Sequence, residues 1–139
     1  MDAQLKVHAV AILQLDELEE YREEYGYLFA DQLVRHMATI FKDFTSTMIS
    51  VYRVENHRFV FVALDQTASS DLERNLYTIA DLLKQSFVLE KRHISLKGMT
   101  AFVTNEQSEY LRKLYFDALS VINHPSLERQ FDVTYFNTL

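Results

Sequence analysis

The chain has no cysteine among its 139 residues. That excludes disulfide scaffolds, thiol catalysis and cysteine–zinc sites. Glycine is almost absent as well: Gly26 and Gly98 are the only two, where average usage would give about ten. P-loops and dinucleotide fingerprints need several closely spaced glycines so that backbone can approach a phosphate, so neither is available. The single proline, Pro125, leaves little room for disordered linkers. A basic excess is also missing. Fourteen Lys and Arg face twenty Asp and Glu, a net charge of −6, which argues against a nucleic-acid partner or direct contact with a membrane surface. No apolar run approaches the ~20 residues that span a bilayer. Met1–Gln4 is polar and has no basic n-region, so no signal peptide is expected. The implied location is cytoplasmic, with one domain over residues 1–139 cut from a longer protein that a separate segment would tether to the membrane.

What is present is the balance of an ordinary globular domain, 48% hydrophobic and 24% charged. Val7–Leu15 is a short apolar run that predicts a buried strand. Asp16–Glu24 is acidic and meets Tyr25-Gly26, a short helix with a glycine stop. From Leu28 to Phe44, Phe29, Leu33, Met37, Ile40, Phe41 and Phe44 recur at three- and four-residue steps, as in an amphipathic helix. Met48–Val54 and Arg58–Leu64 flank the polar Glu55-Asn56-His57 and predict a β-hairpin. Leu72, Leu76, Ile79, Leu83 and Phe87 mark a second long helix, opened by Ser69 or Ser70 as its cap. His93–Val103 reads as one strand. Leu111, Leu114, Ala118 and Ile122 mark a last helix, stopped near Asn123-His124-Pro125. Gln130–Phe136 alternates like a final strand. The expected fold is therefore an α+β sandwich of ferredoxin-like, nucleotidyl-cyclase-like type. Its sheet of four or five strands is mostly antiparallel, with helices packed on it.

Several strings in this order resemble the GGDEF domain of diguanylate cyclases. Gln14-Leu15-Asp16 ends the first strand where the family has an Asp-x-Asp pair, and Tyr25-Gly26 follows at the family's spacing. Asp31 matches an aspartate early in the next helix. Tyr52-Arg53-Val54-Glu55-Asn56-His57-Arg58-Phe59 lies where the family has Arg-aromatic-Gly-Gly-Asp-Glu-Phe. Arg53 and Phe59 match, and the signature residues between them are replaced. Ala118-Leu119 closes the last helix as in the family. The resemblance spans nearly the whole chain, although the helix bearing Asp-x-Leu-Thr-Gly-Leu-x-Asn-Arg that usually opens the domain is absent here.

The resemblance implies a cyclase site that has decayed. Joining two GTP molecules is phosphoryl transfer, in which paired metal ions neutralise charge on the attacking and leaving oxygens. Mg²⁺ takes hard carboxylate oxygens. The family draws these from the first strand-end aspartate, here Gln14, and from the hairpin acids, here His57 and Arg58. Glu55 and Asn56 replace the two glycines, and Arg22 replaces a guanine-reading asparagine. Asp16 and Asp31 survive. The family's Arg-x-x-Asp inhibition site would fall on Ser46-Thr47-Met48-Ile49 and is missing. Arg129-x-x-Asp132 has that spacing elsewhere in the chain, as chance often produces. Lost cyclase activity, no metal and no cofactor are expected, through several independent substitutions. The implied role is regulatory or scaffolding work in cyclic di-GMP signalling. It would act through a partner protein, an attached output domain or a second copy. The alternative is a sensor that binds GTP or a cyclic dinucleotide weakly without turnover.

Blander readings stand beside these. His57 and Arg58, with Arg22 or Arg53 nearby, offer an anion site, but a solvated hairpin tip explains them more simply. Asp16, Glu17, Glu19 and Glu20 suit a helix N-terminus better than a cation site. His8, His36, His93 and His124 lack metal-ligand spacing. Tyr21, Tyr25 and Tyr27 cluster where they would be placed to stack on a base or on a partner, but core packing is the default for them as for the other aromatics.

Overall fold

A computed structural model describes residues 4–55, 57–125 and 127–136. Its elements run β1 (Lys6–Asp16), α1 (Leu18–Tyr25), α2 (Tyr27–Lys42), β2 (Ile49–Val54), β3 (Arg58–Ala63) and α3 (Gln66–Lys84). They continue with β4 (Phe87–Leu89), β5 (Arg92–Ile94), β6 (Lys97–Tyr110), α4 (Leu111–Ile122) and β7 (Val133–Tyr135). Five strands form one sheet in the order β2-β3-β1-β6-β7, and β4 and β5 pair separately. This is the expected α+β sandwich. Its sheet is mixed, because β7 joins β6 in parallel while the other pairings are antiparallel.

β1 is apolar throughout because it is the central strand and is covered on both faces. Ala9, Ala11, Leu13 and Leu15 pack with α2 and α3, while Val10 and Ile12 pack with α4. Strict alternation would send Val7 to the first face. The register shift between Val7 and Ala9 is a bulge that turns it to the α4 side. On the α2 side, Phe41 meets Phe59 and Phe61 edge-on, with centroids 4.8 and 5.5 Å apart.

Three expectations are corrected. Helix α3 is capped by Asp65, whose Oδ1 accepts from Ala68 N at 2.8 Å. Ser69 and Ser70 lie a turn inside, and Ser69 is buried and bonded to Thr104 Oγ1 at 2.8 Å. The expected strand His93–Val103 is two strands: Arg92–Ile94 belongs to the small sheet, while β6 begins at Lys97 and runs past Val103 to Tyr110. Phe87, which continues the periodicity of α3, instead opens β4. The turn between β4 and β5 has Glu90 and Lys91 at φ 51° and 64°, both left-handed. That is the geometry of a type I′ hairpin, normally signalled by Asn-Gly.

Each glycine has a task. Gly26 joins α1 to α2 at φ 92°, ψ 170°, a conformation open essentially to glycine alone. Gly98 lies in β6 opposite Leu15. A Cβ there would lie 2.1 Å from Gln14 O and 2.5 Å from the Phe131 ring. Gly98→Ala must therefore push β6 off β1 or expel Phe131. It should lower stability by about 1–3 kcal/mol, read as an earlier midpoint in thermal or urea unfolding.

β7 is tied to α3 by a hydroxyl chain. Tyr135 donates to Glu73 and accepts from Tyr77 Oη at 2.6 Å. Burial first, and then the Glu73 bond, push the Tyr135 hydroxyl well above the usual tyrosine value of 10.0. The sign follows from linkage: above about pH 10 the unfolded chain releases this proton while the folded chain keeps it, so stability falls with rising pH. Denaturant titrations between about pH 9 and 11 should show a shallower decline in Tyr135→Phe than in the unaltered protein.

Candidate functional site

The sequence places Gln14 two residues before the end of β1 and Arg58 at the start of β3, and the antiparallel register sets them directly opposite. Gln14 Oε1 accepts from both Arg58 Nε (3.1 Å) and Nη2 (3.0 Å). Arg58 Nη1 donates to the Tyr115 hydroxyl of α4 at 3.1 Å and lies 4.0 Å from Glu55 Oε1. The Arg58 side chain is only 12% exposed. It is neither a solvated hairpin tip nor an open anion site, because its guanidinium is spent on β1 and α4.

The hairpin tip folds over the end of β1, where Leu15 N–H donates to His57 O at 2.8 Å. Glu55 sits at φ 58°, a left-handed conformation that suits glycine better than glutamate. Phe59 is core, and Asn56 lies outside the described residues. Beyond Gln14 the chain reaches Asp16, whose two oxygens accept from Arg129 Nε (3.1 Å) and Nη2 (2.7 Å). Arg129 Nη1 also donates to Ile122 O at the end of α4. Asp132 pairs with Lys84 instead, so the Arg129-x-x-Asp132 spacing forms no common site.

Two cavities open beside these strand ends. The first, of 490 Å³, is lined by Gln14, Asp16, Glu17, Arg22, Glu55 and His57, among others. The second, of 420 Å³, is lined by Arg22, Tyr27, Ala30, Asp31, Val34 and Arg53. Arg22 belongs to both. Of the residues singled out in the sequence, Gln14, Asp16, Arg22, Glu55 and His57 therefore meet in the first cavity, with the acidic Glu17, Glu19 and Glu20, while Asp31 lies next door with Arg22, Tyr27 and Arg53. Asp31 is paired to Arg35 at 3.1 Å. The tyrosine cluster divides. Tyr21 and Tyr25 stack with a 6.2 Å separation and Tyr25 meets the Phe29 edge at 5.0 Å, so both lean on the core. Burial, and then the charge of Glu17, raise the Tyr21 hydroxyl, which donates to Ser95 O. Tyr27 is 77% exposed and lies against the Arg22 guanidinium.

The donor set does not suit a divalent ion of the kind the resemblance implies. Gln14 Oε1 faces a guanidinium, and both oxygens of Asp16 face another. Among the described residues no group of three or more His, Asp or Glu side chains is placed to hold a metal. Sequence reasoning missed Tyr115, and it missed Arg129 as the partner of Asp16. They lie 57 and 113 residues from the groups they bond, and no local pattern marks such contacts.

Comparison with known proteins bears on this geometry. A family model described as diguanylate cyclase, GGDEF domain, matches residues 2–120. No curated protein matches the chain. An EAL/GGDEF domain protein from M. capsulatus superposes with a TM-score of 0.79 at 18% identity, covering 95% of this chain and 85% of that one. The active GGEEF domain of a diguanylate cyclase from Vibrio cholerae gives 0.68 at 14% identity, covering 92% and 81%. An apo S helix-GGDEF-EAL chain of Vibrio cholerae LapD gives 0.62 at 20% identity, covering 93% of this chain but 30% of that one. At such identities the likeness is one of fold. The family model covers most of the chain, and the chain belongs to the GGDEF family, whose domains occur in cyclic di-GMP signalling proteins.

Proposed function

We propose that this GGDEF domain makes no cyclic di-GMP and works as a regulatory or scaffolding module. It would act on a second copy, an attached output domain or a partner protein, on the cytoplasmic side. The observation that carries this reading is the Arg58–Gln14 contact. The resemblance assigns these two positions to metal-binding acids. A guanidinium between them adds a positive charge where two dications should gather. At ~4 Å and the effective dielectric of a protein surface, a dication and a guanidinium repel by about 8 kcal/mol. That is enough to empty a site already short of carboxylates. Glu55 adds bulk and negative charge where backbone should meet a triphosphate, and Arg22 stands in place of an asparagine that reads guanine. No helix among the described residues is long and apolar enough to cross a membrane.

A second reading, a sensor that binds GTP or a cyclic dinucleotide without turnover, draws on the two adjoining cavities. Calorimetry with both ligands separates the two. The scaffolding reading expects no dissociation constant tighter than roughly millimolar, about −4 kcal/mol.

Purified protein given GTP with Mg²⁺ or Mn²⁺ should form no cyclic di-GMP, assayed by chromatography of the products. Product that disappears in Asp16→Ala would overturn the reading.

Restoring the acids alone should not restore the reaction. The double variant Gln14→Asp/Arg58→Glu exchanges a bonded pair for two opposed carboxylates. It should melt lower than the unaltered protein, with Mg²⁺ recovering part of the loss, and still show no turnover of GTP. Turnover by that variant would mean that Glu55 and Arg22 are not obstacles.

A further inference from the structure

The 420 Å³ cavity between α1, α2 and β2 differs in charge from its neighbour. The larger cavity carries Asp16, Glu17, Glu19, Glu20 and Glu55 in its lining. The smaller one has two guanidinium groups, Arg22 and Arg53, and one carboxylate, Asp31, already engaged by Arg35. Arg22 is the residue with chemistry left over. Its side chain is 17% exposed, and Nη1 is given to Glu19. Its Nε is buried and has no hydrogen-bond partner among the described residues. A buried donor without an acceptor is a standing cost. The Nε–Nη2 edge is also the one that grips a carboxylate or phosphate through two parallel hydrogen bonds. Tyr27 lies against this guanidinium, its ring centroid 5.1 Å away, and its high exposure lets the ring swing aside at little cost.

We infer that this cavity is a site for an oxyanion, a carboxylate or phosphate carried by a small ligand. Arg22 forms the two-pronged contact, Arg53 adds charge, and Tyr27 is a movable cover. The site reads charge, not a purine base: guanine could offer O6 and N7 to an arginine edge, but its N–H donors also need an acceptor, and Asp31, the carboxylate in this cavity, is already paired with Arg35. The acidic lining of the larger cavity confines an anion to the Arg53 side. The inference does not depend on whether the chain turns over GTP.

The test is a titration followed by the Arg22 Nε–H resonance in ¹H–¹⁵N spectra at low ionic strength. Inorganic phosphate, citrate and guanosine are the probes. Phosphate or citrate should shift that resonance saturably, and the tighter of the two identifies the source of the oxyanion. Guanosine, which has the base and no anion, should leave it unmoved. Calorimetry should show anion affinity reduced roughly tenfold or more in Arg22→Ala, and less in Arg22→Lys, which keeps the charge but loses the fork. Arg53→Ala should weaken binding less than Arg22→Ala does, as expected of a group that adds charge but not the fork. Absence of a saturable shift with either anion, undiminished binding in Arg22→Ala, or a response to guanosine instead would overturn the inference.

Discussion

The Arg58 guanidinium holds together the part of the molecule where function is sought. It bonds Gln14 of β1 and Tyr115 of α4 from its own place on β3. A largely buried cation is costly unless its donors are satisfied. Here they are met by a side-chain amide oxygen and a phenol, with the Glu55 carboxylate at the edge. Removing Gln14 or Tyr115 would leave that cation short of an acceptor. The geometry of the strand ends, and so the mouth of the larger cavity, follows from keeping Arg58 supplied.

This contact changes how the substitutions are counted. In the sequence, Gln14 and Arg58 are separate departures from the family pattern, 44 residues apart. In the fold they are one exchange. An acid at position 14 would form an ion pair with Arg58, and an acid at position 58 would leave Gln14 with no donor of comparable strength. Asp16 and Arg129 form a second such unit, closing the other side of the strand end and reaching the last turn of α4. The surviving acid of the strand-end pair is thus fastened to the scaffold.

Much of the architecture was legible because burial follows period. β1, the β2–β3 hairpin and the cores of α2, α3 and α4 each declare their faces by alternation or by three- and four-residue steps. The small β4–β5 hairpin was hidden for a physical reason. Phe87 keeps step with the helix before it, and Glu90-Lys91 adopts left-handed angles without the asparagine or glycine that usually signals them. The cap of α3 was misplaced because serine is a good cap in general, whereas Asp65 was the residue whose side chain reached a free N–H. For the site, the residue types and their positions could be read directly. Their partners could not, since Tyr115 and Arg129 approach only through tertiary packing.

The central position of β1 also bears on how the chain comes to be folded. The strand is synthesised before both of its neighbours, and they are distant in sequence: Leu13 pairs with Phe59 on one side and Thr100 on the other. At ribosomal speeds the second neighbour emerges roughly 5–20 s after the first strand. Until β3 emerges Val-His-Ala-Val-Ala-Ile-Leu has two open edges, and until β6 emerges it keeps one; with its high β-propensity that is the profile of a segment that finds strands on other chains. Long-range pairing of this kind also places folding toward the slow end for a domain of this size. The same burial on both faces that makes β1 the spine of the finished domain makes it the stretch most in need of shelter during synthesis.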